Sequence, residues 1–263
     1  SEAFIQSIEG NSAFQRLSGT GNLSERSTQA FSRGKLTLVA MQQLPVQSQP
    51  ELASVANLWL PVQSYYAFHG VGLACMAALG QEIPRDHRAF RAQSAKLVSW
   101  LFPTPFSVSC SGGPTPAEFT FSGIKTSPKE IAEHNALTTP HRFNADVFIG
   151  KCLSTTRERL LDENVKSAQH QNVSKGKTRR NVKSSEKQKI SERLNPTTVC
   201  DFIYRIRFRS NYDNPDMYLY SAQFQDDAVE LYQNVTRLTQ LIVLGLSTII
   251  KKKIGSKAFS RLE

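Results

Sequence analysis

The sequence predicts a mainly α protein, an up-and-down helical bundle with a mixed or irregular insertion. Three observations lead to this fold class. Apolar residues recur every three or four positions over long segments near both ends of the chain. The middle instead carries short alternating or β-branched runs separated by Gly, Pro and Ser. With 263 residues, of which 40% are hydrophobic, the chain is long enough to bury a sizeable core.

The predicted domain organisation follows from where the helical periodicity begins and ends. The N-terminal segment is rich in Ser, Gly and Asn, which predicts loose order with a short helix around Phe4–Ile8. In chain order, the segments are a flexible N-terminus (1–23), the first half of the bundle (24–102), an insertion (103–199), the second half of the bundle (200–255) and a tail (256–263).

The helices of the bundle are predicted from apolar spacing and from their end signals. Pro61 predicts a kink or an interruption in the second helix. Asp86 is the predicted N-cap of the third. The helical segments are Ser24–Gln42, Leu52–Leu79, His87–Phe102, Phe202–Asp213 and Phe224–Ile254.

The insertion is predicted to contain either a small β-hairpin or irregular structure. Its runs FSVSCSGG, AEFTFSGIK and ADVFIG start at Phe106, Ala117 and Ala145. A charged helix is predicted at Thr156–Val165. Between Lys166 and Arg193, nine lysines and arginines stand against two glutamates, and apolar residues are almost absent. This basic linker, 166–193, is most simply a mobile loop.

Several classes of protein are disfavoured by composition. The four cysteines are far apart and form no C-x-x-C pair, which argues against a zinc module or a disulfide scaffold and suits a reducing cytoplasm. No secretory signal is recognisable at the N-terminus. The most apolar run, LTQLIVLGLSTII, is too short to cross a bilayer, so no membrane partner is expected. No metal-ligand spacing and no phosphate-cradling glycine pattern occur, so we expect neither metal nor cofactor.

Two stretches carry a recognisable combination of residues. SYYAFHGVGLACMAALGQEIPRDHRAF, residues 64–90, has a tyrosine pair, a histidine, a Gly-containing turn and a second histidine. IYRIRFRSNYDNPDMYLYSAQFQDDAVELYQNVTRLTQLIVLGLSTII, residues 203–250, has an arginine-rich helix followed by a long closing helix. In this order they resemble the two halves of a HEPN domain, a helical bundle of prokaryotic toxins and RNA-processing factors. The resemblance implies a bundle that commonly dimerises, with its site at the interface.

The resemblance also implies a chemistry, which is metal-independent cleavage of RNA by an arginine and a histidine. Arg207 matches the arginine, and its planar set of donors suits the phosphorane charge. Tyr212 stands where the histidine is expected, with Asn211 and Asp213 beside it. These four residues are the predicted catalytic set. A tyrosine with a pKa near 10 is a poor base at pH 7, so whether the protein is an enzyme stays open.

Further basic residues are candidates for binding phosphate. Arg205 and Arg209 lie on the same predicted helix as Arg207. The alternative interpretation is that this is a surface helix without a binding role, in which Arg209 pairs with Asp213. A second group lies in the basic linker, where the density of charge favours nucleic acid binding without sequence choice. The alternative for it is a solvated disordered loop. The linker candidates are Lys175, Lys177, Arg179 and Arg180.

The tyrosine and histidine side chains of the first stretch are predicted to be mainly structural. Tyr65, Tyr66 and His69 lie on the apolar stripe of a long helix, where aromatic residues usually pack. His87 follows the predicted N-cap and is likewise interpreted as structural. The first stretch, residues 64–90, therefore indicates the fold more than it indicates catalytic residues.

The leading functional hypothesis is a cytoplasmic HEPN-like protein of prokaryotic defence or toxin type that acts on RNA, with Arg207 on phosphate. The expected partners are RNA or another nucleic acid, a companion protein of a defence or toxin–antitoxin system, and a second copy in a homodimer. The alternative is a non-catalytic binding or scaffold subunit that holds a nucleotide, a nucleic acid or a partner protein. Fold analogy alone does not decide between them.

Overall fold

The computed structural model confirms a mainly α fold with a small sheet in an irregular insertion. The chain divides into two compact units. Unit 1 combines Ser1–Pro103 with Ile203–Glu263, and unit 2 is Thr104–Phe202. The structure describes residues 1–19, 21–125, 127–133, 145–174, 182–208 and 225–262.

The secondary structure of the described residues is dominated by helices. The helices are α1 (Glu2–Glu9), α2 (Ser12–Gln15), α3 (Glu25–Gln43), α4 (Glu51–Ala78), α5 (His87–Leu101), α6 (Pro128–Glu133), α7 (Ala145–Ser174), α8 (Ser184–Arg193), α9 (Val199–Phe208), α10 (Gln225–Ile254) and α11 (Ser256–Phe259). The strands are β1 (Ser109–Gly112), β2 (Phe119–Ser122) and β3 (Thr197–Thr198).

Unit 1 is a helical bundle organised around α4, which packs along both α3 and α10. A kink or an interruption was predicted at Pro61, and the second alternative is wrong because α4 is continuous through Pro61. A proline removes one backbone N–H, and packing on both sides of α4 can offset that loss. One core cluster of the bundle comprises Met41, Val46, Ala53, Leu60, Ala228 and Tyr232.

Buried polar side chains connect α4 to its neighbours. The amide Nδ2 of Asn57 donates to the carbonyl oxygen of Ala228 at 2.9 Å. The hydroxyls of Ser64 and Thr239 are 2.7 Å apart. Because a buried polar group without a partner is costly, these bonds favour one register between α4 and α10.

Both ends of the chain are more ordered than predicted. At the N-terminus, α1 contains the short helix predicted around Phe4–Ile8, and a second helix, α2, follows where flexible chain was predicted; Ile8 and Phe14 are buried. Instead of a tail, the structure has α11, and the ring of Phe259 meets that of Phe31 at a centroid distance of 5.8 Å. Phe14 and Phe259 stand among small and polar residues, so no apolar periodicity indicates α2 and α11 in the sequence.

Unit 2 contains the predicted hairpin in a larger sheet. Strand β1 pairs antiparallel with β2 on one side and with β3 on the other, in the order β2-β1-β3. One face of the sheet packs against α7. The core of the unit comprises Val108, Cys110, Phe119, Leu153 and Leu161.

Arg157 on α7 lies inside unit 2 with only 1% of its surface exposed. Its guanidinium donates to four backbone carbonyl oxygens and meets no carboxylate at ion-pair distance among the described residues. The acceptors are the carbonyls of Cys110, Gly112, Ser191 and Asn195, at 3.4, 2.8, 3.3 and 3.3 Å. Arg157 thus fastens β1 to the C-terminal end of α8 and to the turn after it.

Helix α7 differs from the sequence prediction at both ends. ADVFIG was predicted to belong to a β-hairpin or to irregular structure, but it forms the first turns of α7. The predicted charged helix continues through to Ser174. The basic linker was predicted as a loop, whereas residues 166–174 and 184–193 are helical. Lys, Glu, Gln and Arg are good helix formers, so a polar composition does not itself exclude a helix.

Helix α9 begins in unit 2 and continues into unit 1 from Ile203. Its start is defined locally, because the carboxylate of Asp201 accepts from the backbone N–H of Thr198 at 3.0 Å and the Thr198 hydroxyl accepts from Cys200 at 3.3 Å. Such reciprocal bonds satisfy N–H groups that a helix start leaves open. The predicted end at Asp213 lies outside the described residues.

Candidate functional site

An arginine surrounded by tyrosine rings lies where α4 and α9 meet in unit 1. Arg207 is 8% exposed. Its guanidinium carbon is 5.1 Å from the ring centroid of Tyr65, 5.3 Å from that of Tyr66 and 5.6 Å from that of Tyr204. Its Nη2 donates to the Tyr66 hydroxyl at 3.0 Å. Tyr204 and Arg207 are three positions apart on α9, which places both on one face of the helix.

Among the described residues, Arg207 is a buried cation with no opposite charge beside it. In the described part of the chain, no carboxylate forms an ion pair with it, and its Nε is buried without a hydrogen-bond partner. Removing a cation from water is costly unless an anion or several acceptors compensate. An arginine held in this way is suited to an anion supplied from outside.

His87 is joined to the same cluster through Tyr65. The carboxylate of Asp86 accepts from the N–H of Ala89 at 2.8 Å, so the predicted N-cap of α5 is confirmed and His87 occupies the first helical position. The Tyr65 hydroxyl and Nδ1 of His87 are 2.6 Å apart. Burial raises the pKa of Tyr65, so its hydroxyl keeps a proton that it can donate to Nδ1 of the neutral imidazole. The proton of neutral His87 is then on Nε2.

His69 lies one turn after Tyr65 on α4. Its ring centroid is 5.2 Å from that of His87 and 4.5 Å from that of Phe90. Burial, and then the charges of His87, Arg207 and Arg33, lower the pKa of His69 to about 4. Near neutral pH, His69 is therefore uncharged and able to accept a proton.

The pKa of His87 is lowered as well. Burial is the larger cause, followed by the positive charges of Arg207 and Arg91. The guanidinium carbon of Arg91 is itself 4.2 Å from the ring centroid of Tyr204. Two neutral imidazoles and a buried arginine therefore lie together at one place in unit 1.

Of the site residues predicted from sequence, the structure describes two. Arg207 belongs to the cluster described above. Arg205 is partly buried and lies two positions earlier on α9, which turns it toward a different face of that helix. The other predicted residues lie outside the described part of the chain: Tyr212, Asn211, Asp213, Arg209, Lys175, Lys177, Arg179 and Arg180.

The structure brings together residues that the sequence analysis treated as structural. Tyr65 is fully buried as expected, but Tyr66 is 42% exposed. His69 and His87 adjoin Arg207, although they lie far from it in sequence. The signals for this arrangement were the four-residue spacing of Tyr65 and His69 and the position of His87 after its cap.

Comparisons of the chain with protein-family models, with curated proteins and with solved structures found no match. The HEPN resemblance therefore stays a prediction. In the described residues, no helix is both long and apolar enough to cross a membrane. No group of three or more His, Cys, Asp or Glu side chains in those residues is placed to hold a metal ion.

Proposed function

We propose that this chain is a HEPN-like protein of prokaryotic defence or toxin type that cleaves RNA without a metal ion. One observation carries the proposal: a buried arginine without an ion-pair partner in the described residues lies beside two neutral histidines. The arginine supplies positive charge, and the histidines supply proton transfer near neutral pH. His69 and His87 thereby take the part for which the sequence offered only Tyr212.

The roles follow from the protonation states. His69 accepts the proton of a ribose 2′-OH, whose oxygen attacks the adjacent phosphorus. Arg207 and the Nε2–H of His87 donate to the phosphorane oxygens. The bond from phosphorus to the 5′ oxygen breaks, and His69 returns its proton to that oxygen. The products are a 2′,3′-cyclic phosphate and a 5′-hydroxyl.

The experiment is an incubation of purified protein in EDTA with end-labelled tRNA and mixed RNA. Variants Arg207→Ala and His69→Ala are compared with Arg16→Ala, an exposed arginine of unit 1 away from the cluster. We expect cyclic-phosphate products from the wild type and from the control. Each site variant should lose on the order of 100-fold in rate. Cleavage that survives both site variants contradicts the proposal.

A second candidate function is a non-catalytic module that binds RNA or a nucleotide. Its support is the burial of Arg207 between three tyrosine rings. An arginine held in this way is better suited to binding a phosphate in place than to changing its position during a reaction. In this case the same assay shows no cleavage, whereas RNA binding weakens in Arg207→Ala. A companion protein would then be sought by its effect on that binding.

The proposal includes a homodimer through the helices that carry the cluster. Its support is an apolar part of the α4 surface, where Val55 is 63% and Trp59 is 61% exposed on neighbouring turns. Light scattering of the purified chain gives the oligomeric state. We expect a dimer that Trp59→Glu converts to a monomer, and a monomeric wild type contradicts this part of the proposal.

A further inference from the structure

A cavity of about 460 Å³ in unit 1 opens beside the two histidines. Its walls come from α3, α4 and the turn between α4 and α5. Its ionisable residues are Arg26, Arg33, His69, Arg85, Asp86 and His87. The volume falls within the range of pockets that hold small organic ligands.

The cavity has an excess of positive charge. Arg26 and Arg33 lie seven residues apart on α3, and Arg85 approaches from the turn before α5. Within the described residues, the side chains of these three arginines make no hydrogen bond and no ion pair. Among the described residues that line the cavity, the one carboxylate is that of Asp86, which caps α5. Three guanidinium groups therefore face solvent around a floor of neutral histidines.

Part of the cavity wall is apolar. Leu73, Ile83 and Pro84 line it between the arginines and the histidines. Such a surface suits the sugar and the base of a nucleotide, while the guanidinium groups suit its phosphates. The combination of size, charge and apolar wall matches a single nucleotide unit with its flanking phosphates.

We propose that this cavity is a nucleotide subsite for single-stranded RNA, in which Arg26, Arg33 and Arg85 bind the phosphates that flank the cleaved bond. The inference rests on the proposed function and names the substrate of the same site. It assigns phosphate binding to residues of α3 and of the turn before α5, which are distant in sequence from Arg207.

Occupation of the subsite also changes His69. The positive charges of Arg207 and Arg33 contribute to its lowered pKa, after burial and His87. A bound phosphate offsets those charges and moves the pKa of His69 back toward neutrality, where a proton acceptor works best. The RNA thus improves the base that acts on it.

The test uses a 2′-O-methyl RNA oligonucleotide, which lacks the attacking hydroxyl and cannot be cleaved. Its dissociation constant is measured over a range of salt for the wild type, Arg26→Gln, Arg33→Gln, Arg85→Gln and the control Arg16→Gln. We expect about tenfold weaker binding for each cavity variant. The slope of log K against log salt should fall by about 0.7 per arginine removed. The control should match the wild type. The arginines are exposed, so these variants are expected to fold.

Cleavage of unmodified RNA separates this inference from the proposed function. If the oligonucleotide binds through the three arginines and no RNA is cut, the subsite stands and the nuclease proposal fails. If RNA is cut with unchanged KM in the cavity variants, the subsite is overturned and the nuclease proposal stands. Absence of oligonucleotide binding to the wild type also overturns the subsite. An upward shift of the His69 titration midpoint in NMR, on adding the oligonucleotide, supports it.

Discussion

Arg207 holds a positive charge almost entirely out of water. Burying a cation costs several kcal/mol even after the surroundings relax. Contacts with aromatic rings each return about 0.5–2 kcal/mol. With no carboxylate beside it in the described residues, Arg207 contributes less to folding than an apolar side chain of similar length would. The presence of a buried charge at this position is therefore better explained by a role in binding than by a contribution to the stability of the fold.

We expect Arg207→Met to leave the free energy of unfolding unchanged or to raise it by about 1 kcal/mol, while RNA cleavage is lost. Methionine keeps most of the packing volume and removes the charge. Urea unfolding and the cleavage assay are run on the same preparations. Arg16→Met, which removes an exposed positive charge of unit 1, is the matched control and should change neither stability nor activity. A loss of more than about 2 kcal/mol in Arg207→Met would instead assign Arg207 to stability.

His69 makes the stability of unit 1 depend on pH. Its pKa is lowered from 6.5 to about 4 in the folded chain, mainly by burial. The unfolded chain therefore binds this proton near pH 6.5, and the folded chain binds it only near pH 4. The contribution of neutral His69 to stability is fully present above the unfolded pKa of 6.5. It declines as the pH falls from 6.5 to about 4 and levels off below that range.

Relative to His69→Gln, the wild type should lose on the order of 1 kcal/mol between pH 7 and pH 4.5, after allowance for the solvent-exposed edge of the ring. Urea unfolding at several pH values measures this difference. His170→Gln removes an exposed histidine of unit 2 and should reproduce the wild-type curve. Parallel curves for the wild type and His69→Gln would show that burial does not perturb His69.

The close approach of α3 and α4 positions both sides of the cavity. A Cβ added to Gly34 would lie 2.7 Å from the carbonyl oxygen of Ala67, and one added to Gly70 would lie 2.5 Å from that of Ala30. These obstacles are backbone atoms and cannot rotate away. The residues adjacent to the two glycines are Arg33 and His69, so the helix spacing also sets the width of the cavity.

We expect Gly70→Ala to destabilise the fold by about 2–3 kcal/mol, although alanine is the better helix former by about 1 kcal/mol. It should also weaken binding of the 2′-O-methyl oligonucleotide, because the helices must separate. Leu36→Ala, at a position of α3 that is 66% exposed, is the control and should change stability by less than about 0.5 kcal/mol. Equal stabilities of the two variants would contradict the close packing.

At the scale of the whole molecule, each unit has its own core. Met41, Leu60 and Tyr232 belong to a cluster of unit 1, whereas Cys110 and Phe119 belong to that of unit 2. The candidate site and the cavity are composed of residues of unit 1. A substitution inside unit 2 therefore tests whether RNA recognition depends on that unit.

We expect Arg157→Leu to destabilise unit 2 by about 3 kcal/mol, because backbone carbonyls buried with Arg157 lose their donors. Hydrogen exchange should rise in β1, α7 and α8 and stay unchanged in α3 and α4. Oligonucleotide binding should be retained. Arg159→Leu, which breaks an ion pair with Glu163 at the surface of the same helix, is the matched control. Faster exchange in α3 and α4 would contradict this separation.

Much of the fold could be predicted because its signals are local. The apolar spacing of α4 and α10, the cap at Asp86 and the alternation of β1 and β2 each depend on neighbours in sequence. The ordered ends could not be predicted in this way. Phe14 and Phe259 stand among small and polar residues, and their burial depends on partners distant in sequence.

The sequence by itself determined the helical class, the two long helices around which unit 1 packs, and the choice of Arg207 as a candidate phosphate-binding residue. Apolar periodicity and residue chemistry are local properties of the chain, so they can be read without the structure. Only the tertiary structure decided which groups surround that arginine. Tyr65 and His87 are 22 positions apart and share a hydrogen bond, and Tyr66 and Arg207 are 141 apart and share another. Burial then lowers the pKa of the histidines, and burial is a property of the packed molecule that no local pattern contains.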